Sequence, residues 1–125
     1  MRPFRVLYVE DNADLRESIS SLMQADGREV LSLANAEEAL AAMRGQRFDV
    51  LVTDVSLPGM SGTDLARRWL EPDANRWVLL CSGYDFHQGL ASIGPNVRSM
   101  PKAFEPEELE ALLTEIEASI RTSEG

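Results

Sequence analysis

The chain of 125 residues has little cysteine, histidine or basic charge, and it has no long apolar run. One cysteine, Cys81, excludes an internal disulfide and suits a reducing compartment. It closes the apolar stretch WVLLC, so it reads as a buried, inert thiol. The one histidine, His87, lies in a polar stretch and reads as exposed. Twelve Lys and Arg face 21 Asp and Glu, a formal net charge of −9. That balance argues against a nucleic-acid surface and against an anionic membrane. No stretch approaches the roughly 20 apolar residues of a membrane span. The opening MRPFRVLYVED is no signal peptide, because its apolar part is only about four residues long and ends in acids. A cytoplasmic location is expected. There is no repeat, low-complexity tract or linker, and the length suits one domain with one core.

What is present is an alternation. Short, nearly continuous apolar runs at 5–9, 29–33, 49–53, 77–81 and 97–100 predict strands. Between them lie helical patterns. Asn12 can cap the first, whose Leu15, Ile19, Leu22 and Met23 share a face, and Gly27 supplies a stop. Asn35 begins the second, with Glu38 three residues on as in a capping box, Leu40 and Met43 facing inward, and Gly45 at its end. TDLARRWL is a short third helix with Leu65 and Trp69 at i, i+4, and both tryptophans read as packing residues. Residues 83–96 leave room for only a short or irregular fourth helix. The last helix carries a stripe of Leu109, Leu112, Leu113, Ile116 and Ile120, and its acidic face reads as solvated. The expected fold is α/β: a single-domain, doubly wound (βα)5 flavodoxin-like parallel sheet with strand order 2-1-3-4-5.

In such a sheet, functional groups gather beyond the C-terminal ends of the strands. The first strand delivers Glu10 and Asp11 there, the third Asp54, the fourth Ser82, and the fifth is followed by Lys102. Taken singly, each has a plain structural reading: a helix-capping acid, turn residues, a solvated lysine. Taken together, three carboxylates crowd one pocket. Uncompensated anions repel, and a hard divalent cation such as Mg²⁺, which takes oxygen ligands, resolves the repulsion. A carboxylate can form an aspartyl-phosphate. Mg²⁺ would bridge Asp54 and the phosphoryl oxygens, with Ser82 and Lys102 on the remaining oxygens.

These residues resemble the receiver domain of bacterial response regulators. The likeness rests on VED after the first strand, TDVSLPGMSG around the third, CSG after the fourth, and PKAF, and it covers nearly the whole chain. The spacing Asp54, Pro58, Gly62 is its most specific part. The resemblance implies a receiver over 1–121, and the polar end over 122–125 reads as a frayed tail. It implies that Asp54 accepts a phosphoryl group from a histidine kinase or a histidine phosphotransfer protein. Mg²⁺ would be bound by Asp11, Asp54 and the Ser56 backbone carbonyl, with Glu10 acting through water. Ser82 would move toward the phosphoryl oxygen, and Lys102 would pair with it. Such a switch acts on a downstream protein through the fourth helix, fifth strand and fifth helix. It allows a homodimer, and it is no enzyme beyond its own phosphorylation and dephosphorylation.

Three departures from the usual pattern stand out. Ala103 follows the lysine in place of proline, so a trans Lys102–Ala103 bond is expected. Ser99 stands where an aromatic is usual. The segment from Ser82 to Lys102 is shorter than usual, and within it residues 84–96, with two glycines and Pro95, are expected to be the most mobile internal segment. The alternative reading is a pseudo-receiver that works as an interaction module without phosphorylation. A phosphatase resembling haloacid dehalogenases would need Asp-x-Asp, where Ser56 stands instead of the second acid. A flavodoxin would need a Ser/Thr/Gly phosphate loop, where the chain has EDNAD.

Overall fold

The computed structural model describes residues 2–82, 90–101 and 105–124. Strands β1 (Phe4–Val9), β2 (Arg28–Leu33), β3 (Val50–Asp54), β4 (Trp77–Ser82) and β5 (Val97–Pro101) pair in parallel, in the order 2-1-3-4-5. Helices α1 (Ala13–Met23), α2 (Ala36–Gly45), α3 (Gly62–Leu70), α4 (Leu90–Ile93) and α5 (Pro106–Glu124) alternate with them. This is the doubly wound, flavodoxin-like sheet expected from the alternation.

The strands are apolar on both faces because both faces are covered. Val6, Tyr8, Val50, Val52, Leu79 and Cys81 point to one side, against Ile19 and Met23 of α1 and Leu109, Leu113 and Ile116 of α5. Leu7, Val9, Leu51, Val78 and Leu80 point to the other, against α2 and α3. Cys81 is buried, as expected. On α2, Ala36 and Ala39 are the fully buried positions, while Leu40 and Met43 flank them half-buried. Small residues there let the helix backbone approach the sheet. Trp69 is buried and donates its indole N–H to the Trp77 carbonyl at 3.1 Å, so α3 is tied to the start of β4.

The helix starts follow the caps. Asn12 accepts from the Leu15 N–H at 3.0 Å, and Asn35 from the Glu38 N–H at 2.8 Å. Glu38 reaches back to the Ala34 N–H, one residue before the cap. Ser61 caps α3 through the Asp64 N–H. α1 stops at Met23, ahead of Gly27, which takes φ +78° in the turn into β2.

The acidic face of α5 is exposed at Glu107, Glu108, Glu110 and Glu115, as expected, and it also carries a long-range ion pair. Arg28, buried at the start of β2, forks onto both Glu110 oxygens at 3.0 and 3.1 Å and also donates to the Met23 carbonyl. A buried guanidinium needs such partners, because an uncompensated buried charge is costly. The tail expected to fray over 122–125 is helical through Glu124. Arg121 holds this last turn by bonding Glu117 at 2.8 Å and the Arg2 carbonyl at 3.2 Å.

The Arg28 hydrogen bond holds the Glu110 carboxyl below its ordinary value of 4.5, helped by the Thr114 hydroxyl and opposed by partial burial. A carboxylate lowered in the folded state stabilises above its unfolded pKa, and that stabilisation is lost as pH falls through the folded value. The gap in melting temperature between wild type and Glu110→Gln should therefore be full at neutral pH and close at acid pH. A gap independent of pH would show that the ion pair does not contribute.

Candidate functional site

The β1–β3 register makes the site. Val9 pairs with Thr53, so the next residues, Glu10 and Asp54, leave neighbouring strands side by side. Glu10, Asp11 and Asp54 each present a carboxylate oxygen within 4.8 Å of the other two. Glu10 and Asp54 are buried and Asp11 is exposed.

Backbone groups hold the buried pair. The Asn12 N–H donates to Glu10 Oε2 at 3.0 Å, and the Ser56 N–H to Asp54 Oδ1 at 3.3 Å. Arg16 of α1 donates to the Glu10 carbonyl at 2.8 Å, fixing the chain between β1 and α1. The Thr53 hydroxyl donates to the Asp54 carbonyl at 3.0 Å, and the Val55 N–H extends the ladder to Cys81 at 2.9 Å. Beneath them, burial pushes the Tyr8 phenol upward, with Cys81, Glu10 and Asp54 adding to the shift, so Tyr8 stays neutral. All three carboxylates offer hard oxygen donors and no sulfur or nitrogen, a set that fits Mg²⁺.

The loop after Asp54 explains the prolines and glycines around it. Pro58 precedes Gly59, which takes φ +74°, as a tight turn of this kind requires. The chain returns at Gly62, whose N–H donates to the Val55 carbonyl at 2.9 Å. A β-carbon at Gly62 would collide with the Asp54 carbonyl. Glycine here therefore lets the start of α3 lie against the peptide that carries Asp54.

The remaining expected residues fall around this cluster. Ser82 is buried at the end of β4, one residue past Cys81, which pairs with Asp54. Ser56 is exposed in the loop that follows β3. Pro101 closes edge strand β5 in register with Ser82 and directly precedes Lys102 in sequence. Ser99 is half-buried in β5. Lys102, the Lys102–Ala103 bond, His87 and residues 84–89 of the segment expected to be mobile lie outside the described residues. Arg16 and Thr53 were not singled out by sequence. Both act through backbone carbonyls, which leave no residue-type signal. Gly62 was visible as part of a spacing, but its reason is a contact with Asp54 that only the fold creates.

The family model for the response regulator receiver domain matches residues 6–114. The chain belongs to this family. The receiver is 33% identical over 106 residues to a response regulator receiver protein of Anaeromyxobacter sp. (strain Fw109-5), covering 78% of this chain and 44% of that protein. It is 34% identical over 125 residues to the two-component response regulator PhoP of Pseudomonas aeruginosa, covering 97% of this chain and 53% of that one. Among solved structures it is similar to the chemotaxis response regulator CheY4 of Vibrio cholerae, with a TM-score of 0.81 and 28% identity over 91% of this chain and 98% of that one. The receiver thus spans about half or less of these two curated relatives.

Gly62→Ala tests the close approach. Alanine is the better helix former by about 1 kcal/mol, so propensity alone would stabilise the receiver. The collision predicts the opposite sign, a loss of about 1–3 kcal/mol in a urea titration. An unchanged or higher midpoint would show that the backbone has room.

Proposed function

We propose that the receiver is a phosphorylation switch in which Asp54 accepts the phosphoryl group. The observation that carries this reading is the convergence of Glu10, Asp11 and Asp54 at the C-terminal lip of β1 and β3. Two buried carboxylates set beside a third are costly unless something positive joins them. Glu10, Asp11, Asp54 and the Ser56 carbonyl would hold Mg²⁺. When bound, the ion supplies charge that offsets the charge developing on the phosphoryl oxygens.

In the proposed reaction an Asp54 carboxylate oxygen attacks the phosphorus of a phosphohistidine on a histidine kinase or histidine phosphotransfer protein. The new O–P bond forms as the P–N bond breaks. The imidazole nitrogen keeps that electron pair and takes up a proton. The Ser56 N–H, 3.3 Å from Asp54 Oδ1, restrains the carboxylate for this attack. Ser82, buried on the adjacent strand, would donate its hydroxyl to a phosphoryl oxygen, and Lys102 would pair with another. The change is then read by a downstream protein at the surface of α4, β5 and α5, in the cytoplasm. The receiver thus acts as a switch and not as a turnover enzyme.

Incubation with acetyl phosphate and Mg²⁺ should add one phosphoryl group by intact-mass measurement. Asp54→Asn should take up none, and neither should wild type with a chelator. Equal labelling of Asp54→Asn, or labelling undiminished by the chelator, would overturn the assignment.

A further inference from the structure

A groove of about 740 Å³ opens at the end of the sheet opposite the acidic cluster. It lies between the turn after α2, the loop from α3 to β4, and the end of α5. That volume falls within the roughly 300–1,000 Å³ of small-ligand sites. Its walls include Arg44, Asn75, Arg76, Trp69, Trp77 and Asn96.

The charges there are unexpected for this chain. Acids outnumber bases by 21 to 12. Yet Arg44 and Arg76 form no ion pair with a carboxylate among the described residues, and neither does Arg98, which stacks on Trp77 beside the groove. Of the two acids that line it, Asp49 is neutralised by an arginine, and Asp73 is an exposed turn residue. Asp49 is buried, pairs with Arg2 at 2.9 Å and accepts the Arg5 N–H at 2.7 Å. Asp73 accepts the Asn75 N–H at 2.9 Å.

Of Arg44 and Arg76, the latter is also held in place. Arg76 is half-buried, lies 4.6 Å over the Trp69 ring and donates to the Trp69 carbonyl at 3.1 Å. Asn96 donates to the Asn75 carbonyl at 2.7 Å, tying the loop to the start of β5. A guanidinium stacked on a ring and fixed by one hydrogen bond keeps its other N–H groups arranged as a fork for an oxyanion. Such pre-ordering lowers the entropy lost on binding.

We propose that this groove is a second binding site, for a small organic polyanion carrying phosphate or carboxylate groups, held by Arg44 and Arg76 beside the two tryptophans. The site is separate from the acidic cluster, which lies at the opposite lip of the sheet and would repel the same ligand. Both tryptophans of the chain line the groove, so indole signals report on it directly.

The test is a titration of the full chain, without Mg²⁺, with pyrophosphate, ADP and citrate in separate arms, followed by two-dimensional amide and indole spectra. At least one arm should give saturable shifts at Arg44, Asn75, Arg76 and the Trp69 and Trp77 indoles, with Glu10, Asp11 and Asp54 unmoved. Tighter binding of pyrophosphate or ADP assigns phosphate as the group recognised, and tighter binding of citrate assigns carboxylate. Arg44→Gln should weaken binding severalfold and Arg44→Gln/Arg76→Gln at least tenfold. Arg44 is exposed and makes no ion pair among the described residues, so its single variant keeps the test valid if the double variant misfolds. No saturable response in any arm, or equal affinity in Arg44→Gln, would overturn the proposal.

Discussion

The parallel register of β1 and β3 forces two buried carboxylates together. Once Val9 pairs with Thr53, Glu10 and Asp54 must leave the sheet at the same height, with Asp11 next in line. At an effective dielectric of about 20, unit charges this close repel by roughly 3–4 kcal/mol. Backbone N–H groups of Asn12 and Ser56 offset part of this. The rest of the domain is consistent with keeping that arrangement. Each face is packed against its own set of helix side chains, so a one-residue slip would exchange the two layers and break both packings. Gly62 brings α3 against the Asp54 peptide, and Arg16 fixes the exit of β1.

Much of this was legible in the sequence, for identifiable reasons. Strands with two covered faces appear as short apolar runs, so all five strands and their order could be read. Local rules also held where the interaction is local, as at the Asn12 and Asn35 caps. The three acids could be placed together because the topology fixes which strand ends are neighbours. What escaped was non-local. Arg28 and Glu110 are 82 residues apart, and nothing in either segment announces the pairing. The same holds for Arg121, whose bond to the Arg2 carbonyl keeps α5 helical past the expected end. On α2 the amphipathic pattern pointed to Leu40 and Met43, whereas close approach to the sheet selects Ala36 and Ala39 for full burial.

Charge is sorted along the strand axis. Carboxylates collect at the C-terminal lip, while Arg2, Arg44 and Arg76 collect near the N-terminal ends of the strands. A parallel sheet separates these two ends by the length of its strands, so each can recognise its own ligand chemistry. The acidic end carries the proposed phosphorylation site. The basic end follows from this chain's own residues, in particular the arginines stacked on Trp69 and Trp77.

On the proposed reading, the three crowded carboxylates form a divalent-cation site. Titration with Mn²⁺, read as paramagnetic broadening of amide signals, tests it most directly. Saturable broadening is expected, centred on Glu10, Asp11, Asp54 and Ser56, displaced by Mg²⁺ and lost in Asp11→Asn. Broadening centred on the acidic α5 helix, or none that saturates, would contradict it.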